Sequence, residues 1–555
     1  RVKQTLPPLV AAACAAAVIA AVPLVLTALL AADSNRPAIA YAMAGRGSLH
    51  PAHLLMLVFA NLYGASMFGM DFWGPPSPAW DQAIGETDLF IAQNVGQIYA
   101  GMIAPIAVLG FGFVRGLMWS REIRFFTIAL VFVLLYALGW YTPAFRAMYA
   151  VMPGVDLFRR PADATFIFGL LLAVITGYMV PRWLTGTVAA ATPRQRAAEA
   201  ALALALAIAA LAVAFAVGMV RAAVAPIVSG FVLAAITVAA LAAARRLALR
   251  SALAATALLG LVVAADLGWN HAPNESTGLP PSLYDALRPG TANPTVALLK
   301  EKLAKHAAPD RRDRVELVGI GYHWPNLSLS HGFDHVLGHN PLRLRDFAQA
   351  TGVGDTVAGP DQRTFAPLFP SYRSTLADLF GLRLIATGVP VEHIDSALKP
   401  GDLTLLARTA DAYVYENPHA LPRVMFVPGF RVVDFDELRR AGWPDADPRK
   451  TVLLDHAPAG APAPGGEGEG TARIVSYANT DVVVEVDSRG AGFLLLNDVW
   501  HPWWYADIDG APAEILKANG LFRAVLVGPG RHSVRFAFRP FRGAWDELRR
   551  RLAGR

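Results

Sequence analysis

The sequence predicts a polytopic α-helical membrane protein of about seven spans, followed by an extracytoplasmic α+β region and a β-sandwich. Three observations carry this. The 555 residues are 54% hydrophobic and only 17% charged, with mean hydropathy +0.39, which is too apolar for a water-soluble chain of this length. Apolar runs of about 20 residues, the length needed to cross a hydrocarbon core of about 30 Å, recur up to Trp269 and then stop. After them come mixed charge, Pro and Gly, and finally short alternating segments broken by turn residues.

The spans are expected at 8–32, 94–114, 124–141, 164–184, 198–220, 224–243 and 251–269. Their short connections fix the orientation. Arg1 and Lys3; Arg115, Arg121 and Arg124; Arg182, Arg194 and Arg196; and Arg245, Arg246 and Arg250 all fall on one side if the spans alternate, and cytoplasmic loops are the ones enriched in Lys and Arg. The outer face then receives the loops 33–93 and 142–163 and everything after Trp269. Within the first of these, His50 to Tyr63 is amphipathic enough for an interfacial helix, and Met70 to Pro76 sets aromatics beside Asp71. In the second, Ala144 to Met152 reads as a short surface helix ended by Pro153-Gly154.

The water-exposed half divides again. Residues 270–456 mix helix and strand periodicities, 457–470 (APAGAPAPGGEGEG) is a Pro and Gly linker without means of burying a core, 471–541 alternates in short strands, and 542–555 is a basic tail. The membrane domain is accordingly 1–269.

For chemistry, the notable stretch is Phe158-Arg159-Arg160-Pro161, two arginines on the outer face against the positive-inside trend. A guanidinium is a planar, permanently charged fork that matches phosphate oxygens, so a lipid-linked phosphate is one reading of Arg159 and Arg160. Snorkelling to ordinary headgroups is the other. The outer carboxylates near the membrane are Asp33, Asp71, Asp81, Glu86, Asp88, Asp156 and Asp163; Asp163 reads as the arginines' ion-pair partner, and Asp71 as the weak candidate for a base. His331, His335 and His339 have helical spacing, but Gly332, Gly338 and Pro341 argue against one helix and against a metal site. A single cysteine, Cys14, excludes an intrachain disulfide. Net charge +6 and a pI near 9.4 suit anionic lipid surfaces, and no basic block interleaved with aromatics points to nucleic acid. Walker A, HExxH and GxSxG motifs are absent, so ordinary soluble hydrolase or nucleotide chemistry has no support.

The ordered pieces Ser34-Asn35-Arg36, Gly47-Ser48-Leu49-His50-Pro51, Asn61-Leu62-Tyr63-Gly64, Phe158-Arg159-Arg160-Pro161, Leu337-Gly338-His339-Asn340-Pro341-Leu342, Tyr415-Glu416-Asn417-Pro418 and Trp504-Tyr505-Ala506-Asp507-Ile508-Asp509-Gly510 resemble the bacterial YfhO-type membrane proteins. That family is similar in architecture to GT-C glycosyltransferases. The resemblance implies outer-face sugar transfer from a polyprenyl-phosphate carrier to a cell-envelope glycan or lipid, in the bacterial inner membrane, with Arg36, Arg159 and Arg160 binding substrate. It implies no cofactor besides the lipid-linked donor and leaves a divalent metal open. It also implies that the first half of the membrane domain, with the usual catalytic acid, lies upstream of Arg1, so that the chain is a fragment. Its tail departs from the family pattern, reading His501-Pro502-Trp503-Trp504 in place of Pro-Gly-Trp. A lipid-linked-sugar transporter and a non-catalytic glycan-binding scaffold are the alternatives; the first would want ionisable groups at mid-bilayer, of which 198–243 has essentially none.

Overall fold

The structure, a computed structural model, describes residues 2–36, 39–64, 72–89, 97–271, 281–340, 342–354, 356–462 and 468–554. Among the described residues five helices are long and apolar enough to cross a membrane: α1 (Val2–Ala32), α2 (Thr165–Leu184), α3 (Pro193–Ala216), α4 (Val220–Ala248) and α5 (Ala252–His271). The expected count of seven is not reached. Where the second and third spans were expected stand two shorter apolar helices, Ile103–Val114 and Arg124–Ala137.

Local chemistry accounts for both short helices. Asp266 on α5 accepts the amide of Met102 at 2.7 Å, and Gly101 turns the chain at φ +84°, so the first of them begins only at Ile103 instead of near 94. The second ends at Ala137 because Gly139 has φ +53° and the Ser48 hydroxyl takes the amide of Trp140 at 3.0 Å. Residues 106–114 wind as a π helix, with the Arg115 amide donating to Gly110 five residues back. The interfacial helix expected over 50–63 is a 3₁₀ helix confined to Pro51–Leu57.

The chain forms two compact units, 38–280 and 1–37 with 281–555. In the first, Phe111, Phe168, Ile175, Met179, Leu241 and Ala244 form one core, and Met56, Phe59, Tyr63, Trp73 and Trp80 form another against Ala210 and Ala214 of α3. α3 opens on a capping box in which Thr192 and Gln195 satisfy each other's backbone amides, with Pro193 in the first turn.

The second unit contains three sheets. One mixed sheet, in the order β2-β1-β3-β5-β4, is built from β1 (Arg314–Val318), β2 (Asp334–His335), β3 (Leu382–Thr387), β4 (Thr404–Arg408) and β5 (Tyr413–Glu416). A six-stranded sheet takes β6 (Val424–Val427), β7 (Gly429–Val432) and β8 (Thr451–Leu454) together with β11 (Gly492–Val499), β14 (Leu516–Ala518) and β15 (Phe522–Val527), in the order β6-β11-β15-β14-β8-β7. It therefore draws strands from both sides of the Pro and Gly stretch 457–470. Against it packs an antiparallel sheet, β13-β12-β16-β10-β9, of β9 (Gly470–Ala478), β10 (Asp481–Ser488), β12 (Trp504–Ile508), β13 (Ala511–Ala513) and β16 (Gly530–Phe538). Val482, Val484, Val486, Val534 and Phe536 of that sheet bury against Leu494, Leu496, Val525 and Val527, the alternation of a β-sandwich.

One carboxylate joins all three sheets. Asp498 on β11 accepts from Arg314 of β1 (2.7 Å), from Arg423 just before β6 (2.7 Å) and from Tyr477 of β9 (2.7 Å), and pairs with Arg523 of β15 (3.1 Å). Burial alone would raise its pKa; Arg423, Arg314 and Arg523 outweigh burial and hold the carboxyl well below its usual range. Arg314 is pushed down to about 10 by its own burial, with Arg423 adding repulsion. Residues read from sequence as a basic tail form α6 (Pro540–Leu552), which packs on the first span through Leu29, Trp503 and Ala544.

Candidate functional site

In the unit 38–280, Arg159 and Arg160 sit in a turn fixed by backbone fit. Arg160 has φ +70°, a left-handed conformation rare outside glycine. It is held there because Gly47 lies flat against it: a Cβ on Gly47 would come 2.1 Å from Arg160 Cα, and the Gly47 carbonyl accepts the Ala162 amide at 3.0 Å. Next to this contact Ser48 ties Trp140, and the Leu49 amide donates to Ala137 at 2.8 Å, so the stretches around 47, 140 and 160 form one surface. Arg160 is exposed and Arg159 half-buried.

Beside it runs a layer of aromatic rings. His50 has Trp80 and Tyr141 at centroid distances of 5.1 and 4.9 Å, and His53 lies 6.0 Å from Tyr63. Burial pushes the His50 imidazole down to about 4 and that of His53 to about 3, with the His50 charge adding to the effect at His53 and the Pro75 carbonyl opposing it more weakly. Both rings are therefore neutral at pH 7, which leaves guanidinium groups as the anion-attracting charges here. Asp71, the base expected from sequence, lies outside the described residues.

Arg36 belongs to the other unit. It follows the first span in a stretch clipped to residues 343–345. Asn35 and Arg343 exchange two hydrogen bonds (2.8 and 3.1 Å), the Arg345 amide donates to the Asp33 carbonyl at 3.0 Å, and the Arg345 guanidinium caps the last carbonyl of α1, that of Ala32, at 2.6 Å. Arg36 is half-buried, with its amide on the Ser34 hydroxyl at 3.0 Å.

The clip forms one wall of a 360 Å³ pocket that sequence reasoning did not assemble. Asp33, immediately after the apolar run, faces it together with Arg345, Asp346, Trp500, His501, Lys517, Glu547, Arg550 and Arg551. Glu547, 7% exposed, is fully engaged by the Trp503 indole N–H at 2.8 Å and by Arg551 at 2.5 Å. Lys517 pairs with Asp346. Asp33 touches only Arg551 among the described cations, at 3.6 Å, and its side chain is 46% exposed. Arg345 and Arg550 have no carboxylate within ion-pair distance among the described residues; each donates to a backbone carbonyl instead. His501 accepts the Trp503 amide on Nδ1 at 3.2 Å, which puts the ring proton on Nε2, and burial lowers its proton affinity against the pull of Glu547 and Asp33.

The pocket thus holds an accessible carboxylate, cations with spare donors and an indole face. That set can accept a proton, hold an anionic oxygen and stack on a sugar ring. Asp33 and Arg36 were legible as polar residues just past a span, and His501 as a departure from the family's tail. Trp500, Lys517 and Glu547 carry no local signal. His331 and His335, equally spaced in sequence, lie on a four-residue helix and on β2, and His335 Nε2 accepts the Leu317 amide at 2.8 Å. Comparison with protein-family models, curated proteins and solved structures finds no match to this chain.

Proposed function

We propose that this chain is a membrane glycosyltransferase, or the greater part of one, that moves a sugar from a polyprenyl-phosphate carrier to a cell-envelope acceptor at the outer face of the bacterial inner membrane. The observation that carries this reading is Asp33: an accessible carboxylate at the mouth of a span, in a pocket with two guanidinium groups that no carboxylate among the described residues neutralises. In the proposed step the acceptor hydroxyl attacks the anomeric carbon, Asp33 takes its proton, and the bond to the carrier phosphate breaks as Arg345 and Arg550 meet the departing charge. Arg159 and Arg160 offer a second anion-binding surface in the other unit, and the positive-inside pattern of the connecting loops supports the outward orientation.

The test is sugar loss from a polyprenyl-phosphate-linked hexose by the full chain in proteoliposomes, with an envelope lipid extract as acceptor. Asp33→Asn is expected to lower turnover by about a hundredfold or more, and Arg345→Gln to raise KM for the carrier. Turnover in Asp33→Asn within twofold of the parent refutes Asp33 as the base. Binding of envelope oligosaccharide by a chain that releases no sugar from the carrier would leave the pocket as the site of a glycan-binding scaffold.

A further inference from the structure

The unit 38–280 contains a second site of a different kind. A 540 Å³ groove runs between the π helix, α3 and α4, and apart from one end its walls are hydrocarbon. Along α4 it extends from Gly230 to Ala242, roughly 18 Å at 1.5 Å per residue. It is stopped by Phe59 and Phe231, whose rings lie 5.9 Å apart, and Gly230 permits this because a Cβ there would meet Phe59 at 2.7 Å.

The other end is charged. Arg115, at the end of the π helix, pairs with Glu199 of α3 at 2.9 Å and has its guanidinium carbon 5.5 Å from the Trp183 ring. Arg245 of α4 lies over the same indole at 4.5 Å, with no carboxylate in ion-pair range among the described residues. Two guanidinium groups against one carboxylate leave a single positive charge around Trp183. The connections at this end, 115–124, 182–199 and 245–250, contain nine arginines and two glutamates. A slot about as deep as one leaflet that ends in an indole with two cations over it complements a molecule with a long apolar chain and one negative head.

We propose that this groove binds one acyl chain of an anionic membrane phospholipid, with its phosphate on Arg115 and Arg245 beside Trp183. The π helix supports the site: its wider turn carries Gly110, the residue facing Glu199, where a Cβ would stand 3.5 Å from the carboxylate oxygen.

The experiment is native mass spectrometry of the full chain in neutral detergent after incubation with dioleoyl phosphatidylglycerol, dioleoyl phosphatidylcholine or glycerol phosphate. One phosphatidylglycerol is expected to be retained, at least tenfold more than phosphatidylcholine, and no glycerol phosphate. Arg245→Gln should bring the two lipids to parity. Ala235→Phe, at an exposed lining position, should remove both, whereas Ala243→Phe, exposed on the opposite face of α4, should change nothing. Melting of each variant without lipid at the parent temperature shows that it is folded. Equal retention of the two lipids by the parent, retention of glycerol phosphate, or undiminished phosphatidylglycerol in Ala235→Phe would each overturn the proposal.

Discussion

Of the buried aspartates, Asp498 in one unit and Asp266 in the other are satisfied in opposite ways. Asp498 sits among three arginines. Asp266, on α5, is bonded by neutral donors: the Tyr99 hydroxyl at 2.9 Å, the Met102 amide at 2.7 Å and the Asn270 side chain at 2.8 Å. The first cluster joins sheets. The second closes a backbone problem, because an apolar surrounding offers no water for the free amide at a helix start, and a side chain must supply the acceptor. A buried carboxylate thus acts as a hub of charge in one unit and as a helix cap in the other.

The sharpest way to break this comparison is to delete each acid. Asp498→Ala leaves three buried guanidinium groups without their shared partner and is expected to destabilise its unit by about 3–5 kcal/mol, read from denaturant unfolding of the full chain in micelles. Asp498→Asn should remain strongly destabilising, since it keeps the shape but loses the charge. Asp266→Leu orphans a backbone amide and a hydroxyl, an effect of about 1–3 kcal/mol per group. Asp266→Asn, which keeps an acceptor, should recover most of it. If Asn rescues neither position or both equally, the distinction between hub and cap fails.

Acid probes both units with a smaller effect. The Asp498 carboxyl has its folded pKa below the ordinary 3.8, so its contribution is fully present above that value and is lost as pH falls through the folded pKa. The His53 imidazole, also lowered on folding, is neutral in the native state, so its unit loses stability as pH drops from 6.5 towards about 3. His335 in the other unit is likewise pushed down to about 3 by burial, so melting curves between pH 7 and 4 should soften both units, and His53→Phe should flatten the slope of the unit 38–280 alone. A slope unchanged in His53→Phe would assign the acid sensitivity elsewhere.

The long apolar helices and most strands of the sandwich were legible because periodicity and composition are local signals. What was hidden depends on partners far along the chain. Arg314 and Asp498 are 184 residues apart, and neither neighbourhood announces the other. The apolar run from 94 onward gives no warning that its helix begins at Ile103, since the cause is Asp266 on another helix. Likewise the pocket at Asp33 is assembled from residues between 33 and 551, and only those nearest the span, with His501, carried a sequence cue.

The packing of α1 on α6 has a consequence for how the molecule is made. Leu26 and Leu29 of the first helix find Trp503, Ala544 and Leu548 only after the entire intervening unit has been synthesised. During translation α1 enters the bilayer with that face uncovered and is claimed by its own unit only once α6 has been made. Premature association of this helix with neighbours or chaperones is therefore the natural failure point of biogenesis, because α6, the helix that covers it, is made long after it.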